Sequence, residues 1–238
     1  MGAVAIVSGG MDSVTLAHYM RKDLNIFEIH AVGFNYGQRH QKELAYGSLL
    51  VDDGIVTSYT TVDLRVLQDL LGKSVLTDHS RDVPDGHYAE ETMKATVVPN
   101  RNMIMLSIAA GFAVTLDCKQ GVWLGVHSGD HFIYPDCRPA FVQLADATIK
   151  TANFGFIEWA NGEAVHAPFL GMGKHDICRV GFELDVDYRK TWSCYKGDSI
   201  HCGRCGTCVE RKEAFKLAAV SDPTEYTDPS FEIQAYRG

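Results

Sequence analysis

A short stretch near the N-terminus has the composition of a phosphate-binding turn. It consists of Ser8, Gly9, Gly10, Met11, Asp12 and Ser13. Four apolar residues, 4–7, precede it and predict a buried strand, and an apolar periodic run after it predicts an amphipathic helix. Several backbone N–H groups would then point at one spot on the positive end of a helix dipole. We expect the two glycines to be required because a Cβ atom would keep a phosphate away from the backbone. The alternative is a strand–turn–helix whose glycines serve geometry only.

Four of the seven cysteines lie within fifteen residues near the C-terminus. They are Cys194, Cys202, Cys205 and Cys208. Paired Cys-x-x-Cys steps bring thiolates to the spacing that a tetrahedral ion needs, and the glycines between them permit tight turns. We therefore expect one structural Zn²⁺ with a closed coordination sphere. An iron–sulfur cluster and a redox dithiol pair are the alternatives.

Two further groups of polar residues follow predicted elements. Tyr36, Gln38 and Arg39 come after the second predicted strand, and the arginine could neutralise a phosphate or hold a carboxylate. Arg101, between two asparagines, lies at the predicted start of a long helix, which makes it a second candidate phosphate contact. A solvated loop and simple helix N-capping are the respective alternatives.

The segment that follows the fourth predicted strand offers groups for a flat ring. A purine-like substrate needs carboxylates for its ring N–H and amino groups and an aromatic or apolar face, which Asp130, Asp136 and Tyr134 could supply. Cys137 could be a nucleophile, but a lone cysteine is more often a small buried hydrophobic residue. His127 ends an apolar strand, so we expect a structural role for it.

Lys174 follows Gly-Met-Gly at a predicted helix start. A lysine beside the phosphates would stabilise the charge that builds up when the bond between the α and β phosphates breaks. The alternative on spacing alone is a surface lysine of a helix.

The elements that must position these groups alternate along the chain. The predicted strands are 4–7, 27–35, 55–62, 121–127 and 165–170. After the N-terminal helix, the predicted helices are 41–51, 64–71, 99–116, 141–151, 174–184 and 209–219, the third of these being opened by Pro99. This alternation predicts an α/β doubly wound parallel sheet with ligands at the carboxyl ends of its strands. We expect residues 1–184 to form this body, 185–238 to form a zinc-binding appendage packed on it, and 73–94 to form a mobile loop or lid.

Composition limits the function classes. A formal charge of −8 argues against a broad nucleic-acid interface, which normally needs a basic face. No apolar run approaches the length of a membrane span. The first predicted strand begins at residue 3, which leaves no room for a signal peptide, so we expect a cytoplasmic protein without disulfides.

Taken together, these motifs resemble those of the 7-cyano-7-deazaguanine synthases, the QueC family, within the PP-loop ATP pyrophosphatases. The matching segments are 8–13, 36–40, 99–102, 134–138, Lys174 and 192–211. One departure is Asn100, where we expect the family to carry glycine. Asparagine can adopt the left-handed conformation that glycine would use, so the departure weighs little.

The resemblance implies a PP-loop ATP-binding fold in a homodimer, with structural zinc on the four cysteines. It also implies conversion of 7-carboxy-7-deazaguanine, ammonia and ATP to the 7-cyano product. ATP would adenylate the carboxylate, ammonia would displace AMP to give an amide, and a second adenylation would lead to the nitrile. No glutaminase domain is apparent, so free ammonia is the expected nitrogen source.

The resemblance assigns residues to these steps. Asp12 would help to hold Mg²⁺, and Lys174, Arg101 and Arg39 would stabilise charge. The expected ATP contacts are Val7, Ser8, Gly9, Gly10, Met11, Asp12, Ser13, Val14, Thr15 and Leu16, with hydroxyl donation from positions 8, 13 and 15. The expected substrate contacts are Tyr36, Gln38, Arg39, Asp130, Tyr134, Asp136 and Arg138.

Three other functions remain open at this point. A PP-loop tRNA thiolase also adenylates its substrate, but the acidic balance and the single cysteine cluster count against it. A relative could instead attach a deazaguanine to a different acceptor. A zinc-stabilised nucleotide-binding module would bind ATP without turning it over.

Overall fold

A computed structural model describes residues 1–39, 41–67, 74, 82–86, 97–127, 129, 134–196 and 199–231. Its centre is one five-stranded sheet in the order β3-β2-β1-β4-β5. The strands are β1 Ala3–Ile6, β2 Ile29–Asn35, β3 Ser58–Asp63, β4 Val122–Leu124 and β5 Val165–His166. Every neighbouring pair is parallel. The predicted doubly wound parallel sheet is confirmed.

Helices cover both faces of this sheet. They are α1 Met11–His18, α2 Lys42–Asp52, α3 Arg101–Thr115, α4 Pro139–Ala152, α5 Lys174–Glu183 and α6 Gly206–Ala218. Side chains of a strand alternate between faces, so Ala3 and Ala5 of β1 join the core with α1, α5 and α6. Val4 joins the opposite core with α3 and α4. Among the described residues, no helix is long and apolar enough to cross a membrane.

Several strands are shorter than their apolar runs predicted. The run 165–170 gives only a two-residue strand, after which the chain turns. Pro168 has no N–H group and cannot continue the ladder of backbone hydrogen bonds. Phe169 instead is fully buried beside Tyr19, with ring centroids 5.8 Å apart. This part of the run is apolar because it fills the core rather than because it extends the sheet.

Two other expectations concern segments that lie partly outside the described residues. The predicted helix 64–71 appears as a 3₁₀ turn, Arg65–Leu67, and residues 68–71 lie outside the described ranges. Most of the predicted loop 73–94 lies outside them as well.

The start of α3 differs from the prediction by two residues. Asn100 has a φ of 57° and lies in the left-handed region, so α3 begins at Arg101 and Pro99 precedes it. A left-handed residue cannot be part of a right-handed helix. The expectation that Asn100 can take a conformation suited to glycine is confirmed.

Helix α1 is buried almost all round, not on one face as its pattern suggested. Seven of its eight residues are buried: Met11, Ser13, Val14, Thr15, Leu16, Ala17 and His18. The sheet covers one side and α5 and α6 cover the other. The Thr15 hydroxyl lies 3.0 Å from the hydroxyl of Tyr188, within this covered side.

Gly9 is required by the approach of α2. Its φ is 94°, and a Cβ atom there would lie 1.9 Å from the carbonyl oxygen of Glu43 and 2.7 Å from the amide nitrogen of Gly47. At Gly10, by contrast, the nearest atom to an added Cβ is the Ser8 hydroxyl oxygen at 3.3 Å. The backbone of α2 thus gives a reason for glycine at position 9 that is independent of space for a phosphate.

Gly9→Ala should lower the free energy of unfolding by about 2–3 kcal/mol, because it combines left-handed strain with a clash against backbone atoms. In a chain of this length that loss corresponds to a fall in Tm of about 5–10 °C. Gly10→Ala is the matched control and should change the free energy by less than about 1 kcal/mol, since a hydroxyl group can rotate away. Thermal unfolding followed by circular dichroism measures both. Equal losses in the two variants would contradict this account.

Candidate active site and metal centre

A cavity of about 280 Å³ opens at the carboxyl ends of β1, β2 and β4. The chain runs from β1 to β2 and β3 on one side and places β4 and β5 on the other. The connections therefore diverge at β1 and leave a crevice there, which is where parallel sheets bind ligands. The lining residues used below are Ser8, Gly10, Asp12, Ser13, Phe34, Tyr36, Glu43, Arg101, Asn102 and Tyr195.

The predicted phosphate turn forms one end of this cavity. The amides of Ser8 and Gly9 donate to the hydroxyl oxygen of Ser13 over 3.2 and 3.3 Å. The amide of Gly10 donates to the hydroxyl oxygen of Ser8 over 3.2 Å. Three backbone donors thus face two oxygen atoms just before the first residue of α1. Phosphate oxygens could replace the hydroxyl oxygens as acceptors, and the hydroxyls could then donate in turn.

A lysine beside the turn is held by two carboxylates. The ammonium nitrogen of Lys174, the first residue of α5, lies 3.3 Å from Asp12 Oδ2 and 3.6 Å from Glu210 Oε2. Burial alone would lower the pKa of Lys174, but the two carboxylates raise it above its ordinary value. The side chain therefore stays positively charged at neutral pH, where it can stabilise negative charge.

The second oxygen of Asp12 suits a metal cation. Asp12 Oδ1 is buried and has no hydrogen-bond partner among the described residues. A buried carboxylate oxygen without a partner is costly, and a hard divalent cation is a ligand that would satisfy it. His127 also faces this aspartate, with Nε2 3.8 Å from Asp12 Oδ2. The expectation of a purely structural histidine therefore overlooked its position beside the candidate cation ligand.

Aromatic rings and an arginine form another part of the cavity wall. Arg101 donates to the hydroxyl of Tyr36 over 3.4 Å, and its guanidinium carbon lies 5.8 Å from the centre of that ring. Burial opposes its charge, but Tyr36, Tyr195 and Asp136 raise the pKa of the guanidinium. Burial also raises the pKa of Tyr195 well above its usual value. This part of the wall thus places the guanidinium of Arg101, which stays positively charged, beside uncharged tyrosine rings.

The first turn of α2 adds a buried carboxyl group. Glu43 is 8% exposed, and burial raises its pKa to about 8. The side-chain amide of Gln38, which is fully buried, donates to Glu43 Oε1 over 3.3 Å and to the carbonyl oxygen of Phe34 over 2.9 Å. Its own carbonyl accepts the amide N–H of Tyr36 over 2.9 Å. In this arrangement Gln38 fixes the turn and the rotamer of Glu43.

The residues predicted after β4 lie close to Arg101. Tyr134, Asp136 and Arg138 are half-buried. Asp136 lies in a 3₁₀ turn, Pro135–Cys137, and the other two residues flank it. The side-chain amide of Asn102 donates to the carbonyl oxygen of Asp136 over 3.4 Å. Asp130 lies outside the described residues. Burial raises the pKa of the Cys137 thiol to about 11, which disfavours a nucleophilic role.

Other predicted ATP and substrate contacts are placed elsewhere. Val14 and Leu16 belong to the core, as Met11 does, and the Thr15 hydroxyl meets Tyr188. Arg39 is half-buried and is not part of the cavity wall, whereas Val7 is. The structure thus brings positions 7, 8, 10, 12 and 13 to the cavity and turns positions 14–16 away from it.

The four clustered cysteines form a second site. Their sulfur atoms all lie within 4.8 Å of one another, and all four residues are buried. A tetrahedral zinc with Zn–S bonds of about 2.3 Å needs sulfurs about 3.8 Å apart. The amide of Cys202 donates to the sulfur of Cys194 over 3.4 Å, and the amide of Cys205 donates to that of Cys202 over 3.3 Å. The cluster can therefore hold a metal ion with little movement, and its backbone donors would stabilise thiolates.

The family model of the queuosine biosynthesis protein QueC matches residues 2–219. The chain belongs to the QueC family. It is 49% identical over 235 residues to the 7-cyano-7-deazaguanine synthase of Rhizobium meliloti (strain 1021), covering 99% of this chain and 96% of that protein. The same enzyme of Ruegeria sp. (strain TM1040) is 46% identical over 238 residues, covering 100% and 98%. The expected family membership is confirmed.

A solved structure shares this QueC chain's general outline. It is the NH3-dependent NAD synthetase from Campylobacter jejuni in complex with the nitrate ion, at 15% identity and a TM-score of 0.45. The likeness covers 93% of this chain and 79% of that one. It is too distant to carry an argument about the site.

Sequence reasoning missed three residues of this QueC site besides the histidine. Glu43 and Glu210 lie inside helices, where acidic residues are usually part of a solvated face. Tyr195 follows directly after a cysteine of the cluster. The available signal was proximity along the chain, since Tyr195 and Glu210 adjoin the cysteines and Glu43 follows the 36–40 motif.

Glu43→Gln should stabilise the protein at alkaline pH relative to wild type. The folded-state pKa of about 8 exceeds the ordinary value of 4.5, so the folded state binds more protons between these limits. Wild-type stability therefore falls as pH rises from 4.5 to 8, and glutamine, which does not titrate, escapes this loss. Between pH 5 and pH 8.5 the variant should gain about 2 kcal/mol or more over wild type.

Thermal unfolding at pH 5, 7 and 8.5 measures this difference. Asp52→Asn, at the exposed end of the same helix, is the control for replacing an acid by an amide on α2. A Glu43→Gln difference that changes no more with pH than the Asp52→Asn difference would refute the elevated pKa of Glu43.

Proposed function

We propose that this protein is an ATP-dependent 7-cyano-7-deazaguanine synthase that uses ammonia. The observation that carries the proposal is that a phosphate turn, a charged lysine and a ring-lined wall meet at one cavity in a QueC chain. Relatives named 7-cyano-7-deazaguanine synthase cover nearly the whole of this chain. A phosphate site alone would fit many nucleotide enzymes, whereas the adjoining aromatic wall favours a flat second substrate.

In the first step the substrate carboxylate attacks the α-phosphorus of ATP and pyrophosphate leaves. The backbone amides of Ser8, Gly9 and Gly10 donate hydrogen bonds to the leaving pyrophosphate, and the hydroxyls of Ser8 and Ser13 rotate to donate to it as well. Lys174 stabilises the charge that accumulates as the bond breaks. Asp12 would hold Mg²⁺ through Oδ1, and the cation would neutralise phosphate charge when bound.

In the second step ammonia attacks the acyl-adenylate, AMP leaves with one carboxylate oxygen, and a proton is lost to give the amide. The amide oxygen then attacks the α-phosphorus of a second ATP, and a second pyrophosphate leaves. Loss of this second AMP, with both amide protons, gives the nitrile. Arg101 lies beside the rings and would balance the charge on the adenylate. The side of the site that holds the substrate would be formed by Tyr134, Asp136 and Arg138 together with Asp130. Arg39 would bind an outer phosphate of ATP.

We propose that the four cysteines hold one structural zinc. Support comes from their spacing, their burial and their backbone donors. Residues 185–238 would then form an appendage rather than a separate domain, because Ala214 and Phe215 of α6 belong to the same core as β1. Zinc would anchor this appendage and take no part in the reaction.

A homodimer is the proposed assembly. The outer side of α4 and the turn after it expose three large apolar side chains, Leu144 at 69%, Phe154 at 87% and Phe156 at 80%. Exposed apolar patches of this kind mark contact surfaces. Because the proposed reaction consumes ATP, the cytoplasm is its proposed location.

The proposed reaction fixes its stoichiometry. Incubation with 7-carboxy-7-deazaguanine, ammonium, Mg²⁺ and ATP should yield one nitrile with two AMP and two pyrophosphate, as measured by mass spectrometry and nucleotide chromatography. Lys174→Met should lower kcat by about 100-fold or more, because it removes the charge beside the phosphates. Lys216→Met, an exposed lysine of α6, is the control. Formation of ADP, or sulfur transfer to tRNA in place of the nitrile, would refute the proposal.

The zinc proposal has its own test. Elemental analysis of the purified protein should find one zinc per chain, and Cys205→Ser should lose the metal and lower the Tm, because binding free energy of a structural ion is folding free energy. Cys118→Ala, a buried cysteine outside the cluster, should keep the zinc. Iron with inorganic sulfide would point to a cluster instead.

A further inference from the structure

The cavity wall carries a carboxyl group that no step above uses. In the described part of the chain two acidic side chains line the cavity, Asp12 and Glu43. Asp12 is engaged by Lys174 at the phosphate turn. Glu43 is more than nine-tenths buried, and the amide of Gln38 holds one of its oxygens at 3.3 Å. A buried carboxyl group fixed in this way on a cavity wall can accept hydrogen bonds from a ligand.

The substrate of the proposed reaction offers a matching pair of donors. A guanine-type ring has adjacent N–H groups, one at ring position 1 and one on the 2-amino group, and a carboxylate can accept both in parallel. We propose that Glu43 is the residue that reads the deazaguanine ring, accepting hydrogen bonds from the ring N–H and the 2-amino group. This assignment rests on the proposed function.

The surroundings of Glu43 fit a flat ring. Phe34, Tyr36 and Tyr195 line the same cavity and offer the faces that a planar heterocycle needs. Asp136, which the sequence suggested for this role, is not part of the cavity wall, and its backbone carbonyl accepts from Asn102. Besides Asp12 at the phosphate turn, the described carboxyl group on the wall that carries the rings therefore comes from α2 rather than from the segment after β4.

The protonation of Glu43 separates guanine-type from adenine-type rings. Among the residues that the structure describes, Tyr36 at the end of β2, Tyr59 of β3 and Arg101 of α3 are titratable groups near it, and the amide of Gln38 donates to it. Burial has the largest effect on its pKa, so the neutral acid prevails at pH 7. Two donors from a guanine-type ring require the carboxylate, so binding should release a proton. An adenine-type ring has one acceptor and one donor and would keep the protonated acid.

Calorimetry of the full-length zinc-loaded protein tests this inference. With the non-hydrolysable α,β-methylene analogue of ATP at saturation, 7-carboxy-7-deazaguanine is titrated at pH 7 in buffers that differ in ionisation enthalpy. Wild type should release close to one proton per ring bound, and its Kd should tighten several-fold between pH 7 and pH 8. Glu43→Gln should bind at least about 10-fold more weakly, without proton release, because its NH2 group opposes a ring N–H.

A second ligand makes the test independent of any folding defect. The same ring without its 2-amino group should bind wild type about 10-fold more weakly than the full substrate, but Glu43→Gln should not distinguish the two. Asp52→Asn, on the same helix, should discriminate as wild type does.

The outcomes separate the two proposals. Equal binding of the full substrate to wild type and Glu43→Gln, while wild type forms AMP and the nitrile, would overturn the role of Glu43 and leave the proposed function intact. Weaker binding of the ATP analogue in Glu43→Gln, with unchanged ring binding, would also overturn it, since Glu43 would then read the nucleotide. Failure of wild type to bind the ring or form AMP would overturn both.

Discussion

The ammonium group of Lys174 is the point on which three helices converge. Asp12 belongs to the first turn of α1, Lys174 begins α5, and Glu210 lies in α6. Removing one partner of a half-buried ion pair leaves an uncompensated charge, so the three helix positions are tied to one another. The same contact places a permanent positive charge at the phosphate turn. Packing of the helices and stabilisation of the leaving group are thus served by one interaction.

The metal centre is connected to this point through the backbone. The amide of Trp192, two residues before the first cysteine of the cluster, donates to the carbonyl oxygen of Gly9 over 3.0 Å. Arg211, fully buried in α6, donates to the hydroxyl of Thr191 and to the carbonyl oxygen of Tyr188, both over 2.8 Å. Residues 188–192, between α5 and α6, are therefore bonded both to the phosphate turn and to α6, and an ion bound by the cysteines would steady the phosphate turn without contacting a substrate.

The sequence was sufficient wherever the deciding contacts are local. Strand alternation, the phosphate turn and the cysteine cluster depend on residues close along the chain, and so does the left-handed Asn100. It was insufficient where distant segments meet. Position 9 must be glycine because the carbonyl oxygen of Glu43, on a different helix, occupies the space of a side chain. The partner of Lys174 in α6 is 36 positions away along the chain. The apolar run also predicted too great a length for β5, because an apolar run that fills the core has the same composition as one that extends a sheet.

The first turn of α2 joins the two halves of the site in a way that no single motif shows. The backbone carbonyl of Glu43 lies against Gly9, so the position of this turn sets the position of the phosphate turn. The side chain of the same residue lines the cavity beside Tyr36, where Gln38 fixes it. A ligand that hydrogen-bonds to this carboxyl group would therefore contact the same turn of α2 whose backbone packs against the phosphate turn. Substitution at this position by a shorter acid would withdraw the carboxyl group from the cavity wall, whereas an isosteric amide keeps its length and replaces an acceptor oxygen by an NH2 donor.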